Sequence, residues 1–153
     1  MSGKGQQIDG KHVVGWRERV DLPEWGVTRL LAKSDTGARS SAVHAENIEH
    51  VGEDRVAFDV VYSRKHPDRR ERVTCPIVRM APIRSSNGEV DERITVETML
   101  RLGPVKKTIE VTLVSRELMQ CRMLIGRSAL EPEFVVDPSR TYVATRPPKK
   151  RVK

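Results

Sequence analysis

The sequence predicts an all-β domain, a barrel or sandwich of short strands, on three observations. Residues 56–63 alternate with period two: Val56, Phe58, Val60 and Tyr62 share one face, and Ala57, Asp59, Val61 and Ser63 the other. Turn chemistry recurs along the chain, at Leu22-Pro23-Glu24-Trp25-Gly26, at Ser85-Ser86-Asn87-Gly88 and at Gly103-Pro104. Amphipathic helix is almost absent, with Arg127–Leu130 the one helical stretch.

In chain order, residues 1–11 read as a flexible leader rich in Gly and Gln. Residues 12–20 form a first strand with Val14, Trp16 and Val20 on one face, and the Pro23–Gly26 break ends it. Val27–Ser34 is a second strand. Residues 40–51 fit a strand or a short helix; strand is preferred, because no cap and no 3.6-residue pattern develops. Residues 64–72 read as a charged connector, with Lys65-His66-Pro67-Asp68 as its turn, and residues 73–80 resume the sheet. Asn87-Gly88 is expected to supply the two positive φ angles of a tight hairpin. Ile94, Val96 and Thr98, then Ile109, Val111 and Leu113, alternate as strand faces on either side of Gly103-Pro104. Residues 134–137 and 141–144 are short closing strands.

At 153 residues the chain suits one domain with a real core, placed here at residues 12–144. It carries 28 Lys and Arg against 21 Asp and Glu, a formal charge of +7 that favours acidic partners. Part of that excess lies in residues 145–153, which read as a basic, solvated, disordered tail. The two cysteines, Cys75 and Cys121, have no neighbours at metal-site spacing and read as reduced thiols. The polar first residues lack a signal-peptide core, and no apolar run is long enough to span a membrane, so a cytoplasmic location is expected.

The chemistry concentrates at Leu30-Leu31-Ala32-Lys33-Ser34-Asp35-Thr36-Gly37-Ala38, an apolar run that delivers a carboxylate into a polar turn. Alone, such an Asp often just accepts N–H bonds in its own turn. A second element, Met123-Leu124-Ile125-Gly126-Arg127-Ser128-Ala129-Leu130, is an apolar strand ending in Gly and opening a short helix. Cys75 and Cys121 have no base nearby in sequence, which argues against a thiol nucleophile.

The Asp-Thr-Gly-Ala turn followed by Leu-Ile-Gly-Arg resembles retropepsin-type aspartic peptidases. More closely, residues 12–144 are similar to a bacterial family labelled ATP-dependent zinc protease, associated with glutamate ligases that modify a ribosomal protein. Val14-Gly15-Trp16-Arg17-Glu18, Leu22-Pro23, Ala32-Lys33, Ser85-Ser86-Asn87-Gly88 and Leu124-Ile125-Gly126-Arg127 carry that likeness. The resemblance implies a closed, retropepsin-like β-barrel of the acid-protease fold, with one short C-terminal helix. It implies an endopeptidase with Asp35 as the catalytic residue, Thr36, Gly37 and Ala38 shaping its turn, and Leu124, Ile125, Gly126 and Arg127 supporting it. Thr36 would brace the turn by hydrogen bonding, and Gly37 would let substrate backbone approach. Since the chain holds one such turn, a homodimer giving one Asp35 per subunit is expected. Arg39 stands where viral members place acidic residues and cannot pair with Arg127. The long separation of Asp35 from Gly126 implies an insertion. The hairpin bearing Ser86, Asn87 and Gly88 is either a flap over bound peptide or an ordinary exposed hairpin.

The zinc and ATP of the label find no support in the residues. His-Glu-x-x-His is missing, His12, His44, His50 and His66 are not at ligand spacing, and Gly3-Lys4-Gly5 is no phosphate loop. No cofactor is therefore expected. The expected partner is a peptide or protein substrate, acidic in view of the charge. Two alternatives stay open: a retropepsin-like module without catalysis, and a basic RNA- or ribosome-binding barrel. Against the last, Phe58, Tyr62, Phe134 and Tyr142 form no base-stacking motif, so nucleic acid is not an expected partner.

Overall fold

Residues 6–146 are described, apart from 64, 67, 85, 86, 89 and 117, by a computed structural model. β1 (Gln7–Ile8) and β2 (Lys11–Leu22) pair antiparallel, so ordered pairing begins inside the expected leader. Pro23–Trp25 makes one 3₁₀ turn, which Gly26 closes at φ 70°, donating its N–H to the Pro23 carbonyl. β3 (Val27–Ser34) returns antiparallel along β2.

Six strands close a barrel. β3 lies parallel to β10 (Met123–Ile125), which runs antiparallel to β4 (Ser41–Val51). The first half of β4 lies parallel to β9 (Val105–Val114), and β9 forms a hairpin with β8 (Val90–Leu102) across Gly103-Pro104. One pair, Asp21 with Arg101, joins β8 to β2 and completes the circuit. Inside sit Val14, Val20, Leu30, Val43, Val96, Leu100, Val111, Met123 and Ile125, all nearly without exposure. β11 (Phe134–Thr141) adds to the outside, parallel to β2.

The expected insertion is an arm of the sheet. A bulge at Asn47, with φ 51°, takes the second half of β4 out of the barrel to pair with β5 (Arg55–Val61). β6 (Arg70–Pro76) then pairs with β5. Phe58 of β5 buries against Trp25 edge-on, ring centroids 5.2 Å apart, so the arm shares the barrel's core.

Four expectations need correction. The charged connector ends early, because Arg70, Glu71 and Arg72 already belong to β6. Arg70 and Arg72 both pair with Asp59 across the ladder, so their charges are cross-strand partners rather than turn residues. The stretch 73–80 is two strands, since the chain leaves β6 after Pro76 and enters β7 (Arg79–Arg84). The β7–β8 connection spans residues 85–89, and within it only Gly88 (φ 87°), not Asn87, takes a positive φ among the described residues. A loop of that length has no need of a two-residue turn. Finally, residues 142–144 form no strand; the Tyr142 N–H donates to the Arg17 carbonyl, and Val143 and Ala144 are held by a side chain described below. Residues 147–153 of the expected tail lie outside the described residues. No helix among the described residues is long and apolar enough to cross a membrane.

Candidate active site

Asp35 is positioned by two strands that end together. β3 and β10 run parallel in register, Ser34 opposite Ile125, so Asp35 and Gly126 leave the sheet side by side. The Asp35 N–H donates to the Ile125 carbonyl at 2.9 Å. Beyond it the chain wraps the second element: the N–H groups of Arg127 and Ser128 donate to the carbonyls of Ala38 and Arg39, at 2.7 and 3.0 Å. The Gly126 N–H donates to the buried Ser41 Oγ at 3.0 Å. A Cβ on Gly126 would lie 2.5 Å from the Ser40 backbone, so only glycine permits this approach. α1 (Arg127–Leu130) buries Ala129 and Leu130 in the core and leaves Arg127 and Ser128 exposed. The two motifs thus form one structural unit.

Within the turn, Asp35 Oδ1 accepts the N–H groups of Gly37 and Ala38 at 3.0 and 3.3 Å. The carboxylate is half-buried, and its Oδ2 has no partner among the described residues. A Cβ on Gly37 would stand 3.2 Å from Oδ1, so the glycine leaves room for the carboxylate itself. Arg127 Nη1 donates to the Thr36 carbonyl at 2.9 Å. Within the chain the turn is tied through the main chain of Thr36. The exposed Thr36 hydroxyl makes no hydrogen bond among the described residues. Arg127 also needs no acidic residue at position 39, because it uses a carbonyl instead.

Three further residues, quoted in the motifs but given no role there, hold this unit to the barrel. The buried Ser34 Oγ donates to the Gly15 carbonyl at 3.0 Å. A Cβ on Gly15 would meet the Arg140 carbonyl oxygen at 2.4 Å, so β2 and β11 touch here. Three positions on, fully buried Glu18 accepts the N–H groups of Gly15, Val143, Ala144 and Thr145 and the Thr145 hydroxyl. Besides its place in the Val14–Glu18 stretch, the sequence signal for Glu18 is an acidic residue amid the apolar alternation of β2.

A cleft of about 650 Å³ adjoins the turn, lined by Arg39, Ser40, Ser128, Ile109, Arg79 and Glu110 among others. Arg39 lines this cleft together with Arg79, which is ion-paired to Glu110; Asp35 itself is not among the lining residues. Asn87 and Gly88 are exposed and do not line the cleft, although β7 reaches it through Arg79. Ser86 lies outside the described residues. Burial pushes the thiols of Cys75 and Cys121 above their ordinary value, and both are free cysteines, which leaves little nucleophilic thiolate. Among the described residues no three His, Cys, Asp or Glu side chains are grouped to hold a metal ion, so the residues do not fit a zinc centre.

Comparison with known proteins agrees with this geometry. The profile of the RimB-like family, described as retropepsin-like aspartic endopeptidase RimB, matches residues 13–147. A "Probable alpha-L-glutamate ligase" of Shewanella halifaxensis is 34% identical over 142 residues, covering 88% of this chain and 30% of that protein. One of the same name from Desulfotalea psychrophila is 36% identical over 137 residues, covering 84% of this chain and 28% of that protein. The chain thus spans less than a third of the length of these relatives. A crystal structure of a Legionella pneumophila protein of unknown function superposes with a TM-score of 0.72 at 27% identity, covering 87% of this chain and 98% of that one. With its closed six-strand barrel and the joined Asp35 and Gly126 turns, the chain belongs to the RimB-like family of retropepsin-like aspartic endopeptidases.

Proposed function

We propose that the protein is a cytoplasmic aspartic endopeptidase that works as a homodimer, with Asp35 of each subunit forming the catalytic pair. The observation that carries the reading is the Asp35 carboxylate, with one oxygen tied to its own turn and the other without a partner. A single such carboxylate can accept a proton from water but cannot at once donate one to the peptide carbonyl. A second Asp35 across a two-fold axis supplies that group. Two carboxylates a few ångströms apart cannot both ionise, so they share one proton; the ionised partner activates water and the protonated one polarises the scissile carbonyl. Such a pair titrates as a unit. Thr36 and Gly37, exposed beside Asp35, would lie at or near the meeting of the two subunits.

The substrate we infer is an acidic, glutamate-rich peptide. Arg39 and Arg79 line the cleft beside the turn, and the curated relatives bear the name of an enzyme that ligates glutamate. An endopeptidase acting on such chains would reverse the ligation. Purified wild type should cleave glutamate-rich peptides with EDTA present and lose activity to a pepstatin-type inhibitor. Asp35→Ala should be inactive on the same peptides; cleavage by that variant would sink the reading.

A further inference from the structure

A second cleft, of about 570 Å³, lies at the other end of β3, six residues before Asp35 and thus roughly 20 Å away along the strand. Arg19, Arg29, Arg101 and Arg146 line it, and Asp21 is the one carboxylate among its lining residues. Backbone carbonyls accept from two of these side chains. Arg19 Nη1 donates to the Arg29 carbonyl at 3.1 Å, and Arg29 Nη2 to the Arg146 carbonyl at 3.2 Å. Asp21 is divided between duties: its Oδ1 accepts the Arg29 N–H at 2.9 Å, and its Oδ2 stands 3.8 Å from Arg101 Nη1. Positive charge therefore exceeds negative around the cleft.

One further observation points to a missing acceptor: Arg19 Nε is buried and has no hydrogen-bond partner among the described residues, a state proteins avoid. Arg29 sits in the left-handed region at φ 54°, where the β2–β3 register shifts, and a bulge of this kind re-aims a side chain out of the ladder.

We propose that this cleft is a binding site for a phosphate group, carried by a small phosphorylated ligand or by a nucleic-acid strand. The choice of phosphate over carboxylate follows from the donors. All four cations are arginines, whose planar forks suit oxyanions. One fork satisfies the two coplanar oxygens of a carboxylate, whereas the tetrahedral oxygens of a phosphate accept from several arginines that converge from different directions. The charge also continues outside the cleft, since Arg17 pairs with Lys33 in the β2–β3 ladder two residues beyond Arg19 and Leu31. Phosphate recognition needs no stacking aromatics, so their scarcity does not weigh against it.

The test compares three probes on the full chain: pyrophosphate by calorimetry, and a fluorescent oligouridylate and a fluorescent hexaglutamate by anisotropy. The partly exposed Arg101 and exposed Arg146 are both changed to Gln, with Lys11→Gln as an exposed control. Pyrophosphate should bind wild type and Lys11→Gln alike and bind the double variant about tenfold more weakly or worse. If a strand is the source, oligouridylate follows the same pattern and the salt dependence of its binding shrinks in the double variant. If a small ligand is the source, pyrophosphate alone follows it. Failure of both phosphate probes to bind wild type, equal binding by the double variant, or hexaglutamate binding as tightly as the phosphates through Arg101 and Arg146 would each overturn the proposal.

Discussion

Gly126 and Glu18 show how much of the candidate site rests on single atoms. Gly126 has no space for a methyl group against the Ser40 backbone, so Gly126→Ala should cost about 1–3 kcal/mol of stability and part the two turns. Denaturant midpoints will read the first effect and loss of peptide cleavage the second. Glu18→Ala leaves four backbone N–H groups without their acceptor and should destabilise by on the order of 3 kcal/mol. Amide exchange at Val143, Ala144 and Thr145 should accelerate in that variant; unchanged exchange there would show that the clasp contributes nothing. Asp35 and Gly126 were legible in the sequence because each lies in a compact local motif. Glu18 was not, since three of its partners lie 125 to 127 positions away. The Arg127 contact was equally illegible, since a motif names a side chain and Arg127 uses the Thr36 carbonyl.

At the scale of elements, alternation located most strands, and failures came where charge or side-chain capture replaced it. β6 begins with Arg70-Glu71-Arg72, which reads as solvated loop until Asp59 is seen across the ladder. The Asn47 amide first, then Arg70 and Arg72, hold the Asp59 carboxyl below the usual carboxylate range against the opposing push of burial. Because the folded value is the lower one, the ionised form stabilises the arm fully above the unfolded value of about 3.9, and this stabilisation is lost as pH falls through the folded value. Stability measured between about pH 5 and pH 2 should show this acid-sensitive step in wild type and a diminished one in Asp59→Asn. An identical acid profile in the variant would remove Asp59 from the account. Residues 142–144 carry enough apolar character to suggest a strand, yet after Tyr142, whose N–H still donates to the Arg17 carbonyl, Glu18 takes the N–H groups of Val143 and Ala144 instead of a neighbouring strand.

For the whole molecule, all-β architecture follows from the alternation of residues, whereas closure was implied by the family resemblance alone. A single pair between Asp21 and Arg101 joins β8 to β2, and no local pattern announces a contact so remote. The barrel ends its β3 and β10 strands together, and under the proposed mechanism one chain then supplies one half of the catalytic pair. Joining two halves is a property of the assembly. The proposed activity should therefore fall on dilution below the dimer dissociation constant, in parallel with dimer content read by sedimentation.

The central claim is that each active site draws one Asp35 from each of two chains. Wild type and Asp35→Asn, refolded together in varied ratios at fixed total concentration, test it through peptide-cleavage rate. If both carboxylates are required, activity falls with the square of the wild-type fraction, leaving about one dimer in four active at an equal mixture. Activity falling in simple proportion to the wild-type fraction would mean that one Asp35 suffices, and would contradict the account.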